Sequence, residues 1–153
     1  MIYLSQRDAR WANIKLGKSN QTIGRSGCTT TSLTMGLNYF GFPIQPPYIA
    51  NQDTYTIDGY ILWSKLDLPG SFKLIKRIGS TETPIRDDKA ILESLRSTNG
   101  FVLLNVNHGT HWVLALSKVW FKNDYYVADP WLGDRRTACG AYQNIVGSAH
   151  FAR

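Results

Sequence analysis

Apolar residues recur at helical spacing most clearly after Gly27. From Cys28 onward, Leu33, Leu37 and Phe40 fall at i, i+4 and i+7, with Met35 and Tyr39 beside that stripe. The spacing predicts a helix with one buried face, ended by Gly41 and Pro43. Shorter helical candidates lie at 48–53 and 60–66, the second closed by Pro69-Gly70. Up to about Pro69 the chain reads as turn-rich and helical.

Beyond Pro69 the pattern changes. Residues 71–78 read as a strand, and 86–97 as an amphipathic helix with Ile91, Leu92 and Leu95 inward, stopped at Asn99-Gly100. The runs 101–107, 111–119 and 125–129 are rich in β-formers between polar turns, and 144–151 supplies a last strand. Helices first and antiparallel strands after them indicate an α+β fold. No linker or internal repeat interrupts 1–153, which reads as a single domain.

The chain has 153 residues, 43% of them hydrophobic, enough to bury a core without disulfides or metals. Its two cysteines, Cys28 and Cys139, read as thiols, because a disulfide-stapled domain this short carries more. Seventeen Lys and Arg against eleven Asp and Glu leave a formal +6, which favours anionic surroundings as well as simple solubility. The opening residues reach a charge at Arg7, too soon for the apolar core of a signal peptide. No apolar run has membrane-spanning length. The expectation is a monomer made in the cytoplasm without its own export signal.

Cys28 stands in the first turn of the clearest helix. There the unpaired N–H groups and the helix dipole favour the nucleophilic thiolate. Gly27 before it allows a sharp turn and leaves space for a substrate. The ordinary alternative is a small buried residue. Cys139, in Thr137-Ala138-Cys139-Gly140, reads as an incidental loop residue.

A cysteine nucleophile needs a base, and the base an orienting group. Of three histidines, His150 near the C-terminus reads as surface, while His108 and His111 occur together before a strand. Asp129 ends the next strand. His111 and Asp129 meet across a hairpin only if it is centred near Trp120, and a tight turn at Asn123-Asp124 sets them out of register. Asp129 before Pro130 also suits a turn cap. His108 and His111 suit half of a metal site, for which no partner pair is apparent.

At this point the sequence resembles a known group. Ser5-Gln6-Arg7-Asp8, Gly27-Cys28-Thr29-Thr30, Gly109-Thr110-His111-Trp112 and Ala128-Asp129-Pro130-Trp131 resemble, in that order, the bacteriocin-processing-peptidase-like group of papain-fold cysteine peptidases. The stretch from Tyr142 to Ala149 is similar to stand-alone members from bacteria and their viruses. The resemblance implies a helical half carrying Cys28, packed on an antiparallel sheet carrying His111 and Asp129, with a cleft between. It also implies that Gln6 donates a side-chain N–H to an oxyanion. A long insert from Asp8 to Ser26, and Thr29 after the cysteine, depart from the transporter-linked members, so their leader-peptide specificity does not carry over.

The expected function is hydrolysis of a peptide or amide bond through Cys28, His111 and Asp129, assisted by Gln6, with no metal or organic cofactor and no nucleic-acid partner. The first substrate choice is bacterial cell-wall peptide, as for a lysin; a soluble peptide or protein is second. The rival is a catalytically silent basic module, with Trp11, Trp63, Trp112, Trp120 and Trp131 stacking on a ligand and Lys15, Lys18, Lys73, Lys76 and Arg77 on its phosphates.

Overall fold

Every position from Gly100 to Val106 is buried, and a strand buried on both faces needs cover on both. The computed structural model, which describes residues 2–153, provides it. In chain order the elements are α1 (Ile23–Ser26), α2 (Cys28–Tyr39), α3 (Pro46–Ala50), β1 (Lys73–Gly79), α4 (Asp88–Arg96), β2 (Gly100–Val106), β3 (His111–Lys118), β4 (Tyr125–Asp129), β5 (Asp134–Thr137), α5 (Ala138–Tyr142) and β6 (Ile145–Ala152). Short 3-10 turns lie at Trp63–Lys65, Pro69–Ser71 and Asn107–Gly109. The strands form one six-stranded sheet, β1-β6-β2-β3-β4-β5, in which every neighbouring pair is antiparallel. The class is α+β.

Alternation along β2 divides the core in two. Phe101 and Leu103 join Leu33 and Leu37 of α2, with Leu114 and Phe151. Val102, Leu104 and Val106 join Ile91 of α4, with Val113, Val127 and Ala138. Helices therefore cover both faces of the sheet. A helical half packed on a sheet half describes only the first of them.

α2 is buried from Thr29 to Leu37 around its whole circumference, not along one stripe. Two of its hydroxyls are paired, Thr30 with the Tyr55 hydroxyl at 2.7 Å and Thr34 with the Thr30 carbonyl at 2.9 Å, while Thr31 Oγ1 is buried without a partner. Tyr39, expected beside the core, is exposed. Gly36 lets the helix approach the sheet, since a Cβ there would lie 2.7 Å from the Phe101 ring.

Other expectations shift. The helix expected at 48–53 begins earlier, at Pro46, because prolines suit a first turn that needs no N–H partner. Only the 3-10 turn Trp63–Lys65 forms within 60–66. Cys139 lies in α5, not in a loop. His150 is not a surface residue: β6 runs between β1 and β2, leaving His150 2% exposed, with its ring nitrogens bonded to Ser94 Oγ and Ser148 Oγ. Among the described residues, no helix is long and apolar enough to cross a membrane.

Candidate active site

Cys28 is the first residue of α2, and Gly27 caps it with φ −89° and ψ 22°. That backbone is open to any residue, so the requirement for glycine is one of space. A Cβ on Gly27 would lie 2.5 Å from the Ile23 carbonyl oxygen and 2.8 Å from Ile23 Cγ2. Gly27 thus lets α1 pack directly against the start of α2. One turn beyond Cys28, Ser32 Oγ donates to the Trp112 carbonyl at 3.0 Å and pins α2 to the residue after His111.

The β3–β4 hairpin sets the other half. Leu114 pairs with Ala128 and Ala115 with Val127; past a bulge at Leu116, Ser117 pairs with Tyr126 and Lys118 with Tyr125. The hairpin is therefore centred on Phe121, which has φ 58°. No tight turn forms at Asn123-Asp124, because Asp124 is committed elsewhere. Its carboxylate accepts from the backbone N–H groups of Tyr125 (2.7 Å), Cys139 (2.8 Å) and Gly140 (3.2 Å), and its carbonyl from Val119 N–H (2.9 Å). Continued one step, the register sets Asp129 opposite Val113, on the face that alternation gives to His111. His111 Nε2 lies 2.8 Å from Asp129 Oδ1.

Asp129 is fully buried. Besides His111 it accepts from the Trp131 N–H at 2.9 Å and from the Tyr142 hydroxyl, and Arg136 Nε lies 3.5 Å away. Burial pushes its carboxyl upward, but the bonds from His111, Tyr142 and Trp131 outweigh that and hold it below the usual range. Burial likewise works against a charged His111, yet Asp129 and Cys28 together raise its pKa to about 9. Burial raises the Cys28 thiol; the bond and charge of His111, with the Trp112 backbone and Thr29, reverse this and leave it below its ordinary value. With Nε2 engaged by Asp129, Nδ1 is the nitrogen left for Cys28. Both shifts favour the thiolate–imidazolium form of the pair.

This ordering has a measurable consequence. The His111 ring should remain protonated through pH 8 and titrate near 9 by NMR, and Cys28→Ala should move the midpoint down by removing one of the two partners that raise it. Any amide-cleaving activity should then fall as pH rises through about 9, because a neutral His111 has no proton for a leaving amine. A midpoint near the ordinary 6.5 would show that the ion pair does not form.

Cys28, His111 and Gln6 line one open cleft of ≈ 1180 Å³. Gln6 is buried; its backbone N–H bonds to the Pro130 carbonyl at 2.7 Å and its Nε2 to the Gly24 carbonyl at 3.2 Å. The N-terminal segment thereby ties the end of β4 to α1. One N–H of the Gln6 amide remains for a ligand, and Oε1 is buried without a partner. That free N–H, together with the Cys28 backbone N–H, can cradle a developing oxyanion.

Cys139 lies apart. Burial and Asp124 raise its thiol, and its sulfur contacts Arg86 Nη1 at 3.5 Å. His108 is exposed in the turn before β3. Among the described residues no three His, Cys, Asp or Glu side chains converge as a metal-binding group. Of the tryptophans, Trp11 is core, Trp63, Trp112 and Trp131 line the cleft, and Trp120 is exposed at the hairpin tip. Sequence reasoning missed Tyr142, the phenol on Asp129. The only sequence signal for it was its place just before the last strand. Neither a protein-family model, nor a curated protein, nor a solved structure matches the chain.

Proposed function

We propose that the chain is a papain-like cysteine peptidase or amidase, with Cys28 as nucleophile, His111 as acid and base, Asp129 as orienting group and Gln6 as an oxyanion donor. The observation that carries this reading is the His111–Asp129 hydrogen bond, with Asp129 buried and with Cys28 and His111 lining one cleft.

The chemistry follows from the charges. The Cys28 thiolate attacks the carbonyl carbon and forms a C–S bond, while the carbonyl pair moves to oxygen and is met by the Cys28 and Gln6 N–H groups. As the oxygen pair returns, the C–N bond breaks and His111 gives its Nδ1 proton to the departing amine. Neutral His111 then takes a proton from water as the water oxygen attacks the thioester. Breakage of the C–S bond restores thiolate and imidazolium. Asp129 keeps the ring in one orientation throughout and stabilises its charge.

Bacterial cell-wall peptide is the proposed substrate, supported by the formal +6, which favours anionic wall polymers. Purified protein should release free amino groups from bacterial peptidoglycan, with Cys28→Ala protein as the blank. That release should weaken severalfold between low and physiological salt, as screening shortens to ~8 Å. Walls left intact while unrelated peptides are cut would remove the wall substrate and keep the peptidase. Inactivity on both would remove the peptidase.

A further inference from the structure

Arg77 enters the cleft from β1, at the sheet edge. It stands opposite Ala149 of β6, whose small side chain leaves room for the guanidinium to lean across the sheet. Its Cζ lies 4.9 Å from the Trp63 ring centroid and 5.8 Å from that of Trp112. The two indoles themselves pack edge to face at 5.2 Å. Among the described residues, no carboxylate forms an ion pair with Arg77, unlike Arg10 and Arg86, which have one each, and Arg136, which has two. Arg77 is exposed on the edge strand, and partial desolvation of its guanidinium lowers its pKa.

A second group faces the same cleft. Asn105 of β2 is the cross-strand partner of Trp112 and is only 4% exposed. It lines the same cleft, and its Oδ1 has no hydrogen-bond partner. A buried amide left unpaired is costly unless a ligand completes it. The charged side chains around the cleft are Arg25 and Arg77 against Asp58, apart from the Cys28–His111 pair, whose charges offset each other.

Building on the peptidase reading, we infer that Arg77, backed by the Trp63–Trp112 wall, forms a carboxylate-binding subsite, with Asn105 Oδ1 in the same cleft as an acceptor for a peptide N–H, so that the preferred substrates carry a carboxylate near the amide that Cys28 attacks. Arg77 supplies the fork of N–H donors that suits a carboxylate, and its indole stacking holds that fork in place before a ligand arrives. Asn105 Oδ1, an unpaired acceptor, suits a peptide N–H of the same ligand and not the carboxylate itself. The carboxylate has two sources in a peptide, an acidic side chain or a free chain end, and the recognising chemistry is the same for both.

The test uses affinity labels that react at Cys28, in matched pairs. N-bromoacetyl-alanine against its amide reports a chain-end carboxylate, and N-bromoacetyl-glutamic acid α-amide against the glutamine analogue reports a side-chain one. In wild-type protein at low salt, the anionic member of at least one pair should label Cys28 about tenfold faster than its neutral partner, the scale of one charged hydrogen-bonded contact. The pair that responds identifies the source. Arg77→Gln should reduce that ratio most of the way to one, and Arg77→Glu should bring it below one. The ratio is internal to each variant, so a protein that labels more slowly throughout still reports. A ratio near one in both pairs, or one that Arg77→Gln leaves unchanged, overturns the subsite. If Cys28 labels rapidly but without regard to charge, the subsite alone fails. If no probe labels Cys28 ahead of Cys139, the peptidase reading fails and the subsite goes with it.

Discussion

Asp129→Ala is expected to lower kcat/KM for amide hydrolysis about a thousandfold, whereas Asp129→Asn should cost only about tenfold. The difference lies in which oxygen does what. Oδ1 accepts from both His111 Nε2 and the Trp131 N–H, so an asparagine oxygen in that place still fixes the ring. The amide nitrogen would meet the Tyr142 hydroxyl, which can turn from donor to acceptor, and Arg136 keeps its bond to Asp134 at 2.9 Å. Only the negative charge is lost, and the alkaline limb of the activity should then move down from about 9. Alanine removes both orientation and charge, and leaves buried donors unpaired. Steady-state kinetics across pH separates these outcomes. Equal losses in the two variants would mean that charge, not orientation, is the contribution of Asp129.

His111→Ala should slow alkylation of Cys28 by iodoacetamide roughly a hundredfold at pH 6. An unassisted thiol with pKa ~8.5 is only about 0.3% thiolate at that pH, whereas a thiol paired with imidazolium is largely ionised. The position at the start of α2 survives the substitution and retains part of the effect, so the loss should not be larger. Cys139 serves as the internal standard, because Asp124 and burial hold its thiol up in both proteins. Mass mapping of the two cysteines gives the ratio directly. Unchanged reactivity would place the activation of Cys28 in the helix alone.

Much of this site can be read from residue order. Cys28 is legible because a helix-forming run follows Gly27 without interruption, and β2, β3, β4 and β6 are legible because their apolar runs are long for their flanking turns. What stays hidden is set by contacts distant in sequence. The bulge at Leu116 and the engagement of Asp124 by the backbone of α5 decide whether His111 meets Asp129, and neither has a local signature. Tyr142 is invisible for the same reason: its five-residue helix is too short to show a period. The role of Gly27 is also tertiary, since it is Ile23 that excludes a side chain there. His150 was misplaced because closeness to the chain's end says nothing of a strand's place in a sheet.

That place has a consequence during synthesis. β6 joins β1 to β2, and no other strand links them. On the ribosome, β1 emerges early, followed by β2, which is buried throughout in the finished fold, and each must wait with an open edge until residues 145–152 appear. Translating the stretch from Asn107 to Ala152 takes roughly 2–10 s at ~5–20 residues per second. During that interval the nascent chain displays strand edges that other chains can pair with, the usual route to aggregation. Insertion of β6 between its neighbours is thus the step that ends the exposure and completes the sheet behind the site.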